Sequence, residues 1–93
     1  KIINSQLRGP VVIGNNVVVI DSYIGPFTSV YDGCVIEDSE IEQSILLGNV
    51  TIRDVERRID NSLIGQDATI SHNHRHPKSF CFMVGDNSYI YLV

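Results

Sequence analysis

The 93-residue chain has no tryptophan, one methionine, two cysteines and three prolines. Basic residues are scarce, with seven Lys and Arg against eleven Asp and Glu, for a formal charge of -4. No basic stripe exists, which argues against capture of nucleic acid through its phosphates. Apolar runs such as Val17 to Ile20 fall far short of the roughly 20 residues that a membrane-spanning helix needs, so no membrane partner is expected. Two cysteines do not make a disulfide framework, and a reducing cytoplasm is the expected setting. No phosphate-cradling glycine loop, nucleophile elbow or nucleotide-binding motif occurs. Charged residues are 19% of the chain and apolar ones 43%, the balance of a folded domain rather than a disordered one.

What the chain does have is a repeat. Ser22-Tyr23-Ile24-Gly25-Pro26-Phe27-Thr28-Ser29-Val30 is echoed at Ser5, Ser39 and Ser62, with an aliphatic two residues after each serine and another three before it. Three aliphatic columns follow: Ile2/Val19/Ile36/Ile59, Leu7/Ile24/Ile41/Ile64 and Ile13/Val30/Leu47/Ile70. Steps of five or six residues between columns predict a parallel β-helix, one inward aliphatic on each side of a three-sided coil. Val11, Thr28, Ile45 and Ala68, with Val17, Cys34 and Thr51, are expected at further inward positions. Glycines directly after column residues, such as Gly14 and Gly25, suit positive φ or close backbone approach.

The expected organisation is an all-β prism of about four triangular coils over residues 1–70, a loop over 71–79 and a strand–turn–strand hairpin cap over 80–93. The repeat begins in mid-coil at Lys1, as expected of a piece of a longer protein. Residues 53–58 read as a six-residue insertion at one corner, one that can be excised without loss of stability. Arg53, Arg57 and Arg58 in it are candidates for a solvated loop or for a loop that grips an anionic partner. His72, His74 and His76 alternate along the chain and share one face if it is extended. They are the one constellation of catalytic residue types, as a metal site or as the base of an acyl transfer. Exposed Tyr23, Phe27 and Tyr31 on flat prism faces predict a homo-oligomer.

The runs Gly9-Pro-Val-Val-Ile-Gly14, Asp21-Ser-Tyr-Ile-Gly-Pro-Phe-Thr-Ser29 and Gly33-Cys-Val-Ile-Glu-Asp-Ser-Glu-Ile41 carry a family resemblance. Arg58-Ile-Asp-Asn-Ser-Leu-Ile-Gly65 and Val84-Gly-Asp-Asn-Ser88 extend it. Together they resemble the C-terminal hexapeptide-repeat domain of the long-form glucose-1-phosphate thymidylyltransferases. The resemblance implies a left-handed coil, trimers, and an N-terminal nucleotidyltransferase domain that joins dTTP to glucose 1-phosphate with Mg²⁺. No position of this chain matches that domain's catalytic motifs, so no catalytic, cofactor or metal residue is assigned, and no cofactor is expected within these 93 residues. The alternative is an acetyl-CoA-dependent acyltransferase domain, with the histidines as its site.

Overall fold

The computed structural model describes residues 1–72 and 80–92, and among these it has thirteen short strands and no helix. The first coil is β1 (Ile2–Ile3), β2 (Gln6–Leu7) and β3 (Val11–Ile13). The second is β4 (Val18–Ile20), β5 (Tyr23–Ile24) and β6 (Thr28–Val30), and the third β7 (Val35–Glu37), β8 (Glu40–Glu42) and β9 (Ile45–Leu46). The fourth is β10 (Thr51–Arg53), β11 (Ile59–Asp60) and β12 (Leu63–Ile64), after which β13 (Thr69–Ser71) opens a fifth turn. Each strand pairs in parallel with its counterpart in the next coil. The result is three sheets: β1-β4-β7-β10-β13, β2-β5-β8-β11 and β3-β6-β9-β12. The chain is a β-solenoid of about four turns, as the repeat predicts.

The strand register revises the columns. Ile2, Val19, Ile36, Ile52 and Ile70 stack in the first sheet. Leu7, Ile24, Ile41 and Ile59 stack in the second. Ile13, Val30, Leu46 and Ile64 stack in the third. From the third coil onward the expected assignment is therefore one face out of step. Ile59, Ile64 and Ile70 belong one sheet away from their expected columns, and Leu46 replaces Leu47. Ile45 pairs with Ser29 and faces outward, 42% exposed. Val50, fully buried, takes the inward place expected for Thr51.

The cause lies in the corners. Most turns between sheets place one residue in the left-handed region, and among the described residues every non-glycine one found there, apart from Phe27 and Gln43, is Asn or Asp. These two tolerate that conformation because their short polar side chains hydrogen-bond locally. Asn4-Ser5, Asp21-Ser22 and Asp38-Ser39 make one tight five-residue corner three times over. Each serine Oγ donates to the carbonyl two residues back, at 2.8, 2.7 and 2.9 Å. Each also accepts the backbone N–H of the next coil, from Ser22 at 3.1 Å, Ser39 at 3.2 Å and Val55 at 3.3 Å. Gln43-Ser44 and Asn61-Ser62 build the same device at the next corner, and Ser62 N–H donates to Ser44 Oγ at 3.2 Å. Ser62 is thus the spatial successor of Ser44, not of Ser39.

That assignment also removes the six-residue insertion. Val55 N–H bonds Ser39 Oγ, so Asp54-Val55 is the fourth copy of the first corner, and Val55 packs against the core. Ile52 and Ile59 lie seven residues apart where Ile36 and Ile41 lie five, which leaves two extra residues.

The interior is aliphatic. Val19, Ile24, Ile36, Ile41, Leu46, Val50 and Ile52 are fully buried, and burial of each contributes about 1.5–3 kcal/mol. At the N-terminal end the columns open to solvent, with Ile2 48% and Leu7 38% exposed. At the other end the expected hairpin has not formed as strands. Its turn is present at Asp86–Asn87, closed by Ser88 Oγ donating to Gly85 O at 2.8 Å. The flanks are exposed, with Met83 at 96% and Tyr91 at 89%. Phe80-Cys81-Phe82-Met83-Val84 is apolar throughout and does not alternate, so it specifies no buried face. An isolated two-stranded hairpin is marginal at best.

Thr28 Oγ1 is the one buried side-chain polar atom without a hydrogen-bond partner among the described residues. Thr28→Val keeps the β-branched shape and removes that unmet hydroxyl. It should raise stability by about 1 kcal/mol, read as a higher thermal midpoint. Ile41→Asp, which buries an unpaired charge at the centre of the same stack, should abolish the cooperative transition. A destabilised Thr28→Val variant would show that the hydroxyl has a partner after all.

Candidate functional site

One set of polar side chains lines the first corner and the outer face of the second sheet. Down the corner run Asn4, Asp21, Asp38 and Asp54, and beside them an open groove is lined by Tyr23, Glu40 and Glu56. Asn4 Nδ2 donates to Asp21 Oδ1 at 2.7 Å, tying the first two rungs. Because β5 and β8 pair in register, Tyr23 sits beside Glu40, and the lengthened fourth corner delivers Arg58 to the next rung.

Arg58 is fully engaged there. Its Nε donates to Glu40 Oε1 at 3.0 Å and one terminal nitrogen to Glu42 Oε1 at 3.2 Å. The other terminal nitrogen lies 2.9 Å from Glu40 Oε1, and the guanidinium sits 5.0 Å from the centre of the Tyr23 ring. The hydrogen bonds it donates to Glu40 and then Glu42 raise its pKa further above the ordinary arginine value. Arg53 pairs with Glu37 across the first sheet at 3.3 Å. Of the three arginines read as part of a solvated loop or of one that grips a partner, two are therefore held by this chain's own carboxylates. Arg57 is exposed and makes no ion pair among the described residues. Glu40, Glu42 and Tyr23 escape a reading of the sequence because nothing local connects them to Arg58. The stacking distance does connect them, once the register is known.

Of the three histidines, His72 is described. Its Nε2 lies 3.6 Å from Glu56 Oε1, and its backbone N–H donates to Arg53 O at 3.3 Å. His74 and His76 lie outside the described residues. Cys34 has no catalytic character. Burial raises its thiol pKa, and Sγ donates to Leu47 O at 3.1 Å. Among the described residues no group of three or more His, Cys, Asp or Glu side chains could hold a metal ion, so no step involving Mg²⁺ is placed on them. Among the described residues no helix is long and apolar enough to cross a membrane. The face as a whole can pin a loop and present an acidic surface, and it aligns no nucleophile with a base.

Two variants separate the loop from the coil beneath it. Deleting Glu56 and Arg57 restores the five-residue spacing between Ile52 and Ile59, and the thermal midpoint should barely move, because loop length is cheap. Deleting residues 53–58 as a block also removes Val55 from the core and Arg53 from β10, and should strongly destabilise. Equal midpoints for the two deletions would contradict the corner assignment.

Three relatives bear on identity. The chain is 44% identical over 88 residues to a glucose-1-phosphate thymidylyltransferase of Streptomyces antibioticus, which covers 95% of this chain and 24% of that protein. It is 45% identical over 85 residues to the Streptomyces griseus protein of the same name, covering 91% of this chain and 24% of the relative. It is 36% identical over 72 residues to the low-salt glycan biosynthesis nucleotidyltransferase Agl11 of Haloferax volcanii, covering 76% of this chain and 20% of the relative. No family model and no solved structure matches the chain. The chain spans about a quarter of the length of the two thymidylyltransferases. Over that span the similarity is nearly continuous, and the chain belongs, as a segment, to the glucose-1-phosphate thymidylyltransferase family.

Proposed function

We propose that this chain is the C-terminal solenoid of a sugar nucleotidyltransferase, a module of structure and assembly rather than of chemistry. The parent protein carries its catalytic domain upstream. That domain binds Mg²⁺, joins dTTP to glucose 1-phosphate and releases pyrophosphate in the cytoplasm. The observation that carries this reading is the extent of the match, nearly all of this chain against a quarter of each thymidylyltransferase. The disposition of polar groups supports it. Nucleotidyl transfer needs several converging cations and an in-line geometry around the phosphates. Here Arg53 and Arg58 are paired internally, and the carboxylates along the first corner would repel a triphosphate.

The purified 93-residue chain, incubated with dTTP, glucose 1-phosphate and Mg²⁺, should release pyrophosphate no faster than a blank. With acetyl-CoA and an amino sugar it should release no free thiol. Pyrophosphate above the blank would overturn the proposal. Thiol release lost in His72→Ala, His74→Ala or His76→Ala would replace it with the acyltransferase reading.

A further inference from the structure

The first coil is built like an interior rung that has a neighbour on one side alone. β1, β2 and β3 are each the outermost strand of a sheet. In the second coil the inward Val19 points its N–H back to the first and donates to Lys1 O at 2.8 Å. Ile2, Leu7 and Ile13 hold the same inward places one coil earlier, in register with Val19, Ile24 and Val30. The alternation of a parallel ladder therefore aims their N–H groups out of the open end. The flanking donors fix the phase, since Gln6 and Arg8 donate to Ser22 O and Ile24 O of the second coil at 3.0 and 2.8 Å. Apolar surface opens at the same place, with Ile2 48% and Leu7 38% exposed where Val19 and Ile24 are 0% exposed. A free edge is ordinarily protected by charge or proline, and a solenoid end by a polar capping repeat. β1, β2 and β3 contain neither a charged residue nor a proline.

We propose that this end is a docking edge for one further coil of the same repeat, supplied by the parent protein's chain ahead of Lys1. The proposal rests on the reading of this chain as a segment of a nucleotidyltransferase, though not on that protein's chemistry. Three observations select the occupant. The two thymidylyltransferases have about three-quarters of their length outside the matched segment, so chain is available. Lys1 N donates to Val17 O at 2.7 Å, so a chain entering there already lies in the ladder. Tethering then gives it an effective concentration that a free partner lacks. The coil period is 17 residues, from Ser5 to Ser22 and from Ser22 to Ser39, so a segment of that length completes a turn. Its pairing would be strand addition to a free edge, with aliphatics laid over Ile2, Leu7 and Ile13. The corner device makes the occupant more specific. Ser22 N–H bonds Ser5 Oγ, and Ser5 N–H calls for a hydroxyl in the same place, 17 residues upstream of Ser5. A second copy would have to offer its C-terminal end, and such head-to-tail stacking does not close.

Amide exchange tests this on the 93-residue chain, on the chain extended upstream by 17 residues of the parent, and on the whole parent. The N–H groups of Ile2, Leu7 and Ile13 should exchange freely in the first and about a hundredfold more slowly in the other two. Leu7→Lys should leave the thermal midpoint of the 93-residue chain nearly unchanged, because its end there reaches water. In the extended chain the same change buries a charge and should abolish the added protection. Protection confined to the whole parent would assign the edge to another surface of that protein and overturn the proposal. Protection of the 93-residue chain that rises with its concentration, the mark of a second copy, would overturn it too. So would free exchange in all three proteins. A parent that protects these amides yet releases no pyrophosphate from dTTP and glucose 1-phosphate would support the docking edge and refute the proposed chemistry alone.

Discussion

Serine hydroxyls at the first corner of coils one to three and at the second corner of coils three and four hold this solenoid in register. A three-sided coil must turn sharply after every two or three paired residues, and each turn breaks the ladder and leaves backbone groups to be satisfied. At five of the turns a serine does so, in both directions wherever another coil stacks on it. Its Oγ donates to a carbonyl inside its own corner and accepts an N–H from the coil stacked on it. Ser39 and Ser44 are 4% and 2% exposed, so water cannot replace either bond. The residue before each serine sits in the left-handed region, which turns the strand direction while the hydroxyl joins adjacent coils.

The same device accounts for how far the fold could be read from the sequence. Coils one and two are legible because Ser5 and Ser22 recur with the aliphatics at constant spacing and the Gly-Pro pairs mark the second corner. Coil three is not, because the serine corner there appears at the second vertex as Gln43-Ser44, without the Asn or Asp that announces it elsewhere. The step from Ile41 to Leu46 is then five residues where Ile24 to Val30 is six. A pattern search that assigns the serine to one vertex slides by one face at this point. It then books the discrepancy to residues 53–58 as an insertion. The number of coils survives the error because it depends on the aliphatics alone.

The candidate site was legible only as residue types. Arg58 stands out in the sequence, yet what it binds lies one coil away, and only the strand register brings Glu40, Glu42 and Tyr23 to it. The corrected register changes the meaning of the loop, from a solvated or partner-gripping excursion to a strap laid back on the prism. The outward direction of Ile45 was hidden for the same reason. The family relationship was legible independently of these details, since it rests on whole segments in order rather than on which side chain points where.

The claim that buried serine hydroxyls bridge the coils is tested most directly at Ser44, which lies at the vertex that the sequence disguises. Equilibrium denaturation of Ser44→Ala should show a loss of about 1–3 kcal/mol, the cost of leaving the part-buried Ser62 N–H without its acceptor. Ser88→Ala, in the exposed turn, should match the unaltered chain. A Ser44→Ala variant as stable as the unaltered chain would contradict the account.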